Sequence, residues 1–178
     1  MSQTITKQVN HPLHIQKAQR QEMEQVARLI RASADWYASF VHPEDLNEHF
    51  VDTAWQERNY QCRDFYLGFN EKKQAVGTLS LQYFGPYAYI GYLYLDTSQV
   101  GKRYGHRFME FAREEALRRK KKGLCLLAHP QAHWAVKAYK KFGFQCILTQ
   151  AKDILNFNQG FLNDYYEKGF HLYRYPLS

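Results

Sequence analysis

The sequence predicts one α/β domain with a mixed sheet, and three observations point there. Strand-like runs alternate with stretches whose apolar residues recur at helical spacing. Aromatic and aliphatic residues are spread along all 178 positions, 45% of which are hydrophobic, enough to bury a core in a single unit of this length. Leu124 to Ala128 is a short unbroken apolar run, the pattern of a strand covered on both faces.

Taken in order, His11 to Lys17 predicts a short strand. Residues 20 to 34 predict a helix whose buried stripe is Met23, Val26, Ala27 and Ile30. Pro43 opens a second helical stretch through about Glu57, with Leu46, Phe50 and Ala54 four apart. Phe65 to Phe69 and Ala75 to Phe84 follow as strands joined by the polar Asn70-Glu71-Lys72-Lys73 turn, and Tyr87 to Leu95 as a third after Gly85-Pro86. Gly105 to Arg119 predicts a helix buried through Phe108, Met109, Ala112 and Ala116. Another runs from Ala132 to Lys141 and is closed by Gly143, which suits a left-handed cap. Phe144 to Ile154 and Phe170 to Tyr175 complete the strands, and residues 155 to 168 are left as an unassigned loop or lid.

Composition excludes several classes. No stretch reaches the eighteen or so apolar residues of a membrane span, and Met1 to Asn10 lacks a signal peptide's apolar centre, so the expectation is a cytoplasmic protein with no membrane partner. Three scattered cysteines, Cys62, Cys125 and Cys146, argue for reduced thiols. The net charge of +7 admits a polyanionic partner, but its layout is uneven. Residues 35 to 57 hold Asp35, Glu44, Asp45, Glu48, Asp52 and Glu57 and no Lys or Arg. Residues 100 to 122 hold nine positive charges against three negative. Two solvated helices of opposite sign explain this layout as well as a binding surface does.

The chemistry concentrates where a strand passes through a loop into a helix. In Tyr92-Leu-Tyr-Leu-Asp-Thr-Ser-Gln-Val-Gly-Lys-Arg-Tyr-Gly105, first-turn amides at the positive end of a helix dipole form an anion site. Gly101 and Gly105 allow a pyrophosphate to approach the backbone, and Lys102 and Arg103 add charge. Taken alone, a glycine-containing turn before a basic helix reads better as an ordinary connection than as a phosphate site.

A second element changes the balance. Val100-Gly101-Lys102-Arg103-Tyr104-Gly105 is followed at the right distance by Ala132-His-Trp-Ala135-Val-Lys-Ala-Tyr139-Lys-Lys-Phe-Gly143-Phe144. Residues 87 to 146 thereby resemble the GNAT-type N-acetyltransferases, whose loop runs Arg/Gln-x-x-Gly-x-Gly/Ala and whose second signature runs Asn-x-x-Ala-x-x-x-Tyr-x-x-x-Gly-Phe. Val100, Arg103 and Ala132 depart from that pattern, Arg103 by placing a side chain where backbone should lie against phosphate. The resemblance implies a single GNAT-like domain over 1–178, with a mixed, mostly antiparallel central sheet of about six to seven strands and about four helices.

It also implies an acetyl-coenzyme A dependent enzyme that acetylates an amine directly. In it Leu93, Leu95, Val100, Gly101, Lys102, Arg103, Tyr104, Gly105 and Ala135 would contact the coenzyme. The family-matched proton donor is Tyr139, which a phenol's ordinary pKa of about 10 suits. For the base, Glu44, Glu48, Asp96 and His129 stay open. The family's first two helices line its acceptor groove, so the acidic, aromatic segment with Trp36, Tyr37, Phe40, Phe50 and Trp55 points to a cationic small-molecule or lysine-bearing amine. Cys125-x3-His129-x3-His133 carries Pro130 and lacks a fourth ligand, so no metal site is expected. The rival reading is a non-catalytic acyl-coenzyme A or nucleic-acid binding module; local basicity is already explained by a coenzyme with three phosphates, so nucleic acid is not the expected partner. A homodimer is compatible with all of this.

Overall fold

The computed structural model describes residues 11–37, 51–99 and 101–177, the side chains of 34–37 and 97 excepted. Strands β1 (His14–Lys17), β2 (Asp64–Phe69), β3 (Ala75–Phe84) and β4 (Tyr87–Ile90) pair antiparallel in succession. β4 then pairs in parallel with β6 (Gly123–Ala128), and the sheet continues antiparallel through β8 (His171–Pro176) to β7 (Gln145–Leu148). The short β5 (Tyr94–Leu95) leaves this path and pairs back onto β3. Eight strands and five α-helices among the described residues form the mixed, mostly antiparallel sheet that the resemblance implies, with slightly more of each than the six to seven strands and four helices expected.

One face of the sheet carries α3 (Tyr104–Arg118), whose Phe108, Met109, Ala112 and Ala116 are all buried. The fit depends on two glycines facing each other across β2 and β3. Gly68 pairs with Gly77, and a Cβ at either would stand 2.6 Å from the Phe108 ring. The missing side chains make the notch that Phe108 fills. α4 (His133–Phe142) lies beside it, with the Phe142 ring 5.4 Å from that of His106.

The other face is covered by α1 (Met23–Tyr37) and α2 (Thr53–Cys62). Met23, Val26, Ala27 and Ile30 pack with Trp55, Phe65, Leu67 and Tyr92. The helix predicted from Pro43 does not run unbroken to Glu57. Asp52 is extended at ψ −177 and its carboxylate accepts the Trp55 amide at 2.8 Å, so a new helix starts at Thr53 and continues to Cys62. The Pro43 end of the expectation lies outside the described residues, as do residues 1–10.

Three further expectations change. The strand predicted over Tyr87–Leu95 is two strands, broken at Gly91-Tyr92-Leu93. The strand predicted over Phe144–Ile154 ends at Leu148, after a bulge between Cys146 and Leu148, and Ala151–Asn156 forms α5, which buries Ile154. Residues 155–168 are not all loop: 155 and 156 finish α5, 157–164 are helical turns, and only 165–168 are irregular. Helical turns over Phe157–Asp164, kinked by left-handed Asn158, Gln159 and Gly160, seat the Phe161 ring on Phe84 at 4.6 Å and bring Tyr165 against Tyr89 at 5.3 Å. Aromatic burial on the sheet orders the segment where local propensity predicts little. No helix among the described residues is long and apolar enough to cross a membrane.

Candidate active site

The site begins with a bulge. Gly91 N donates to Ser80 O at 3.1 Å while Ser80 N donates to Tyr92 O at 3.0 Å, so two residues on one strand oppose one on the other. The Ser80 hydroxyl accepts the Tyr92 amide at 2.8 Å and fixes the kink. β4 and β6 are paired up to Ile90 and Leu126; past that point the chain stays with β3 through β5 and parts from β6, which runs on beside β8. The sheet therefore splays between β5 and the end of β6.

The ladder's phase says which amides face the gap. Asp96 N donates to Val76 O at 2.8 Å, in register with the Gly77–Leu95 and Thr78–Tyr94 pairs. Antiparallel pairs alternate between bonded and non-bonded, so the Leu95 amide points away from β3 into the splay. Leu93, two residues earlier, lines the cleft there together with Leu127, Ala128 and His129 from β6. The cleft encloses about 1040 Å³, its open mouth included.

α4 closes one side. Ala132, Ala135 and Tyr139 face the cleft, with the half-buried Tyr139 ring 5.9 Å from Phe144. Gly143 ends this helix at φ +125, where a Cβ would stand 2.8 Å from the Tyr175 ring; only glycine satisfies both conditions. Tyr139, Ala135 and Leu93 thus share one cleft, although they come from different elements.

The loop from β5 into α3 shows what the family-departing residues do. Gly101 takes φ +91 in open space. Arg103 is the N-cap of α3 at φ +60, ψ 24, the left-handed geometry glycine prefers, and gives the first turn no side-chain cap. Lys102 Nζ donates to Gln99 Oε1 at 2.8 Å. Tyr104 is buried, and Gly105 sits 3.4 Å, by its would-be Cβ, from Leu95. Val100 lies outside the described residues. An uncapped helix start with an open, left-handed approach suits a diphosphate group.

The base candidates separate. The Asp96 carboxylate accepts both the amide and hydroxyl of Ser98, at 2.9 and 2.8 Å, and does not line the cleft. His129 does line it, but its Nδ1 accepts the Gln131 amide at 3.1 Å, which leaves the proton of the neutral ring on Nε2. Burial, with His171 nearby, lowers its pKa from the ordinary histidine value. Glu44 and Glu48 lie outside the described residues. Cys125 is fully buried and its thiol pushed up by burial; none of the three cysteines lines the cleft. No three His, Cys, Asp or Glu side chains gather for a metal among the described residues.

Sequence reading missed the far wall. Arg63, Asp164, Tyr165, Tyr166 and Glu167 line the cleft opposite the family motifs. Gln82, buried on β3, donates to the Tyr165 hydroxyl at 2.9 Å and so ties this wall to the sheet. The only available signal was the polar Thr78, Ser80 and Gln82 on alternate positions of an otherwise apolar strand. Of the basic residues around α3, Arg118 pairs with Glu115, Arg119 with Asp64 at 3.6 Å, and Lys121 donates to the Gly85 carbonyl at 2.8 Å. Much of that charge serves the protein's own surface.

Comparison with solved structures gives the same architecture. The chain superposes on the PaiA N-acetyltransferase of Thermoplasma acidophilum, solved with coenzyme A, with a TM-score of 0.73 and 17% identity, covering 93% of this chain and 99% of that one. A GNAT-family acetyltransferase of Staphylococcus aureus gives a TM-score of 0.70 at 14% identity, over 94% and 100% of the two chains. N-acetylglutamate synthase of Neisseria gonorrhoeae, solved with coenzyme A and N-acetyl-glutamate, gives 0.67 at 15% identity over 94% of this chain and 35% of that one. No curated protein matches by sequence. The family model described as the acetyltransferase (GNAT) family matches residues 27–144, more than half of the sequence, and the chain belongs to that family.

Proposed function

We propose that the protein transfers the acetyl group of acetyl-coenzyme A directly to the primary amine of a small molecule. The observation that carries this reading is the splay between β5 and β6, with the Leu95 amide facing the gap and Leu93 and Tyr139 lining one cleft beside it. Acetyl-coenzyme A supplies a thioester carbonyl. Its diphosphate fits the amides of Gly101 to Gly105, flanked by Lys102 and Arg103, with Val100 the matched position before them. Leu93 and Leu95 amides, freed from sheet pairing, stabilise the oxygen that gains charge when the amine attacks. As the neutral amine forms the C–N bond and the C–S bond breaks, the Tyr139 hydroxyl gives its proton to the departing thiolate, whose conjugate thiol has a pKa near about 8.5, and the proton shed by the acylated nitrogen returns to the tyrosinate. Ala135, small and on the cleft, allows close passage of the pantetheine arm. A covalent enzyme intermediate is not part of the reading, because Cys125 is sealed in the core and the other two thiols lie off the cleft.

Of the acidic segment expected to meet a cationic acceptor, the two carboxylates whose side chains are described are engaged within the protein. Asp52 is spent capping α2, and Glu57 pairs with Arg20 at 2.6 Å; Glu44, Asp45, Glu48 and the side chain of Asp35 lie outside the description. Within the described cleft, Asp164 and Glu167 provide negative charge for an ammonium.

A thiol-release screen of acetyl-coenzyme A against an amine panel, with calorimetry of coenzyme A binding, tests the reading. Free thiol formed one-for-one with acetylated amine supports it. Absence of binding heat from folded protein with coenzyme A or acetyl-coenzyme A overturns it.

A further inference from the structure

We infer that Arg63 selects acceptors that carry a carboxylate as well as the amine, so that the substrate class is a zwitterionic amino acid or amino-acid-like amine. The inference rests on the acetyl-transfer reading above for the identity of the cleft, and goes beyond it in naming what the far wall recognises.

Arg63 is the residue between α2 and β2, extended at φ −133, ψ 152. Its neighbour Asp64 turns to Lys17 at 3.2 Å and Arg119 at 3.6 Å, while the Arg63 side chain enters the cleft. There the guanidinium is fixed on three sides. Nε donates to Asn59 Oδ1 at 2.9 Å, and Asn59 is itself buried and held by the Trp55 carbonyl at 3.0 Å. The Tyr92 ring lies 4.9 Å from the guanidinium carbon and the Tyr165 ring 4.7 Å. Nη1 rests over Gly91, where a Cβ would stand only 2.5 Å away. The bulge glycine that opens the sheet also makes room for this cation.

A guanidinium offers five N–H donors, and Nε accounts for one. Among the described residues Arg63 forms no ion pair, whereas Arg20, Arg31, Arg118 and Arg119 on the surface each have a carboxylate. Stacking on two rings shields the charge from water without neutralising it, and a half-buried cation in that state is best satisfied by a planar anion meeting the fork edge-on. A structural clamp between helix and strand needs the Asn59 bond and the ring contacts. It does not need the charged edge to open on the cleft that Leu93 and Tyr139 line. With Asp164 and Glu167 on the same cleft, both signs of a zwitterion find a partner.

The test uses amino carboxylates with one to four carbons between amine and carboxylate, each against its own carboxamide, and a diamine of matched length. Turnover and calorimetric binding to the coenzyme-loaded protein are both measured, for wild type, Arg63→Gln and Arg63→Lys. Loss of a charge-assisted bidentate pair is worth about tenfold to a hundredfold. The expected result is that the best carboxylate exceeds its carboxamide by that factor in kcat/KM, and that the ratio falls towards one in Arg63→Gln and only partly recovers in Arg63→Lys. Coenzyme A heat retained by both variants shows that they fold. Thiol release with equal use of carboxylate and carboxamide, or preference for the diamine, overturns the inference and leaves acetyl transfer standing. Carboxylate-selective, Arg63-dependent binding without thiol release from any amine supports the inference and removes the catalytic reading.

Discussion

The two walls of the cleft are assembled in different ways. The wall proposed to bind the coenzyme is nearly continuous chain: β5, the 96–103 connection and the first turn of α3 follow one another directly, and α4 comes one strand later. The opposite wall, proposed to meet the acceptor, is assembled from Arg63 after α2, Gly91 in the bulge and Tyr165 near the end of the chain, three positions joined only when the sheet forms. A site that binds one fixed cofactor can be written as a local motif. A site that selects an acceptor is built from distant residues, so it can change without disturbing the first.

If the coenzyme wall carries the chemistry, its proton donor is the most sensitive point. Tyr139→Phe is expected to lower kcat by about a hundredfold, at the low end for loss of a positioned general acid, with coenzyme A affinity unchanged by calorimetry. Full turnover in that variant would move the donor role elsewhere. On the opposite wall, Gly91→Ala puts a Cβ 2.5 Å from both Arg63 Nη1 and Ser80 Oγ. Overpacking of this kind costs about 1–3 kcal/mol, read as a lower denaturation midpoint. Because it displaces Arg63 it also changes acceptor choice, which separates the two walls in a single variant.

What could be read in advance follows the same division. The α3 stripe of Phe108, Met109, Ala112 and Ala116 was legible because helical periodicity is local. The loop and α4 were legible because their residues stand at fixed spacing. The break at Gly91 was not: Tyr87 to Leu95 alternates like one strand, and the bulge arises from pairing with Ser80 on a different strand. Residues 155–168 were opaque for the reverse reason. Their order comes from Phe157, Phe161 and Tyr165 packing on Phe84, Tyr87 and Tyr89, which no local pattern encodes. Nothing in the sequence marks Arg63; Tyr92 and Tyr165 flank it only once the sheet has formed.

The coenzyme wall's own irregularity sharpens the comparison further. Arg103 sits at φ +60, where a side chain costs about 1–2 kcal/mol relative to glycine. Glycine gives back about 0.4–1 kcal/mol through the freer unfolded chain. Arg103→Gly is therefore expected to stabilise the fold by roughly 0.5–1 kcal/mol. Removing the exposed guanidinium from beside the phosphates should weaken coenzyme A binding about two- to fivefold. Opposite movements of stability and affinity identify a residue retained for its charge despite its backbone; parallel movements show that the loop geometry itself was holding the coenzyme.

The smallest expected effect lies where the walls meet, at His129. Burial and the nearby His171 hold its pKa below the ordinary value of 6.5, and Nδ1 is engaged by the Gln131 amide. The unfolded chain protonates this histidine at about pH 6.5, before the folded protein does. Below that pH the unfolded state binds more protons, so folding stability falls as the solution is acidified; above it the group contributes no slope. Thermal unfolding between pH 7.5 and 5 should show a shallower acid-side loss in His129→Gln than in wild type. A steeper loss in the variant would mean that protonated His129 is stabilised by a carboxylate such as Glu167, which lines the same cleft. That outcome would make the pair the proton acceptor for the incoming ammonium; the expected one keeps His129 a neutral, Gln131-bound part of the wall.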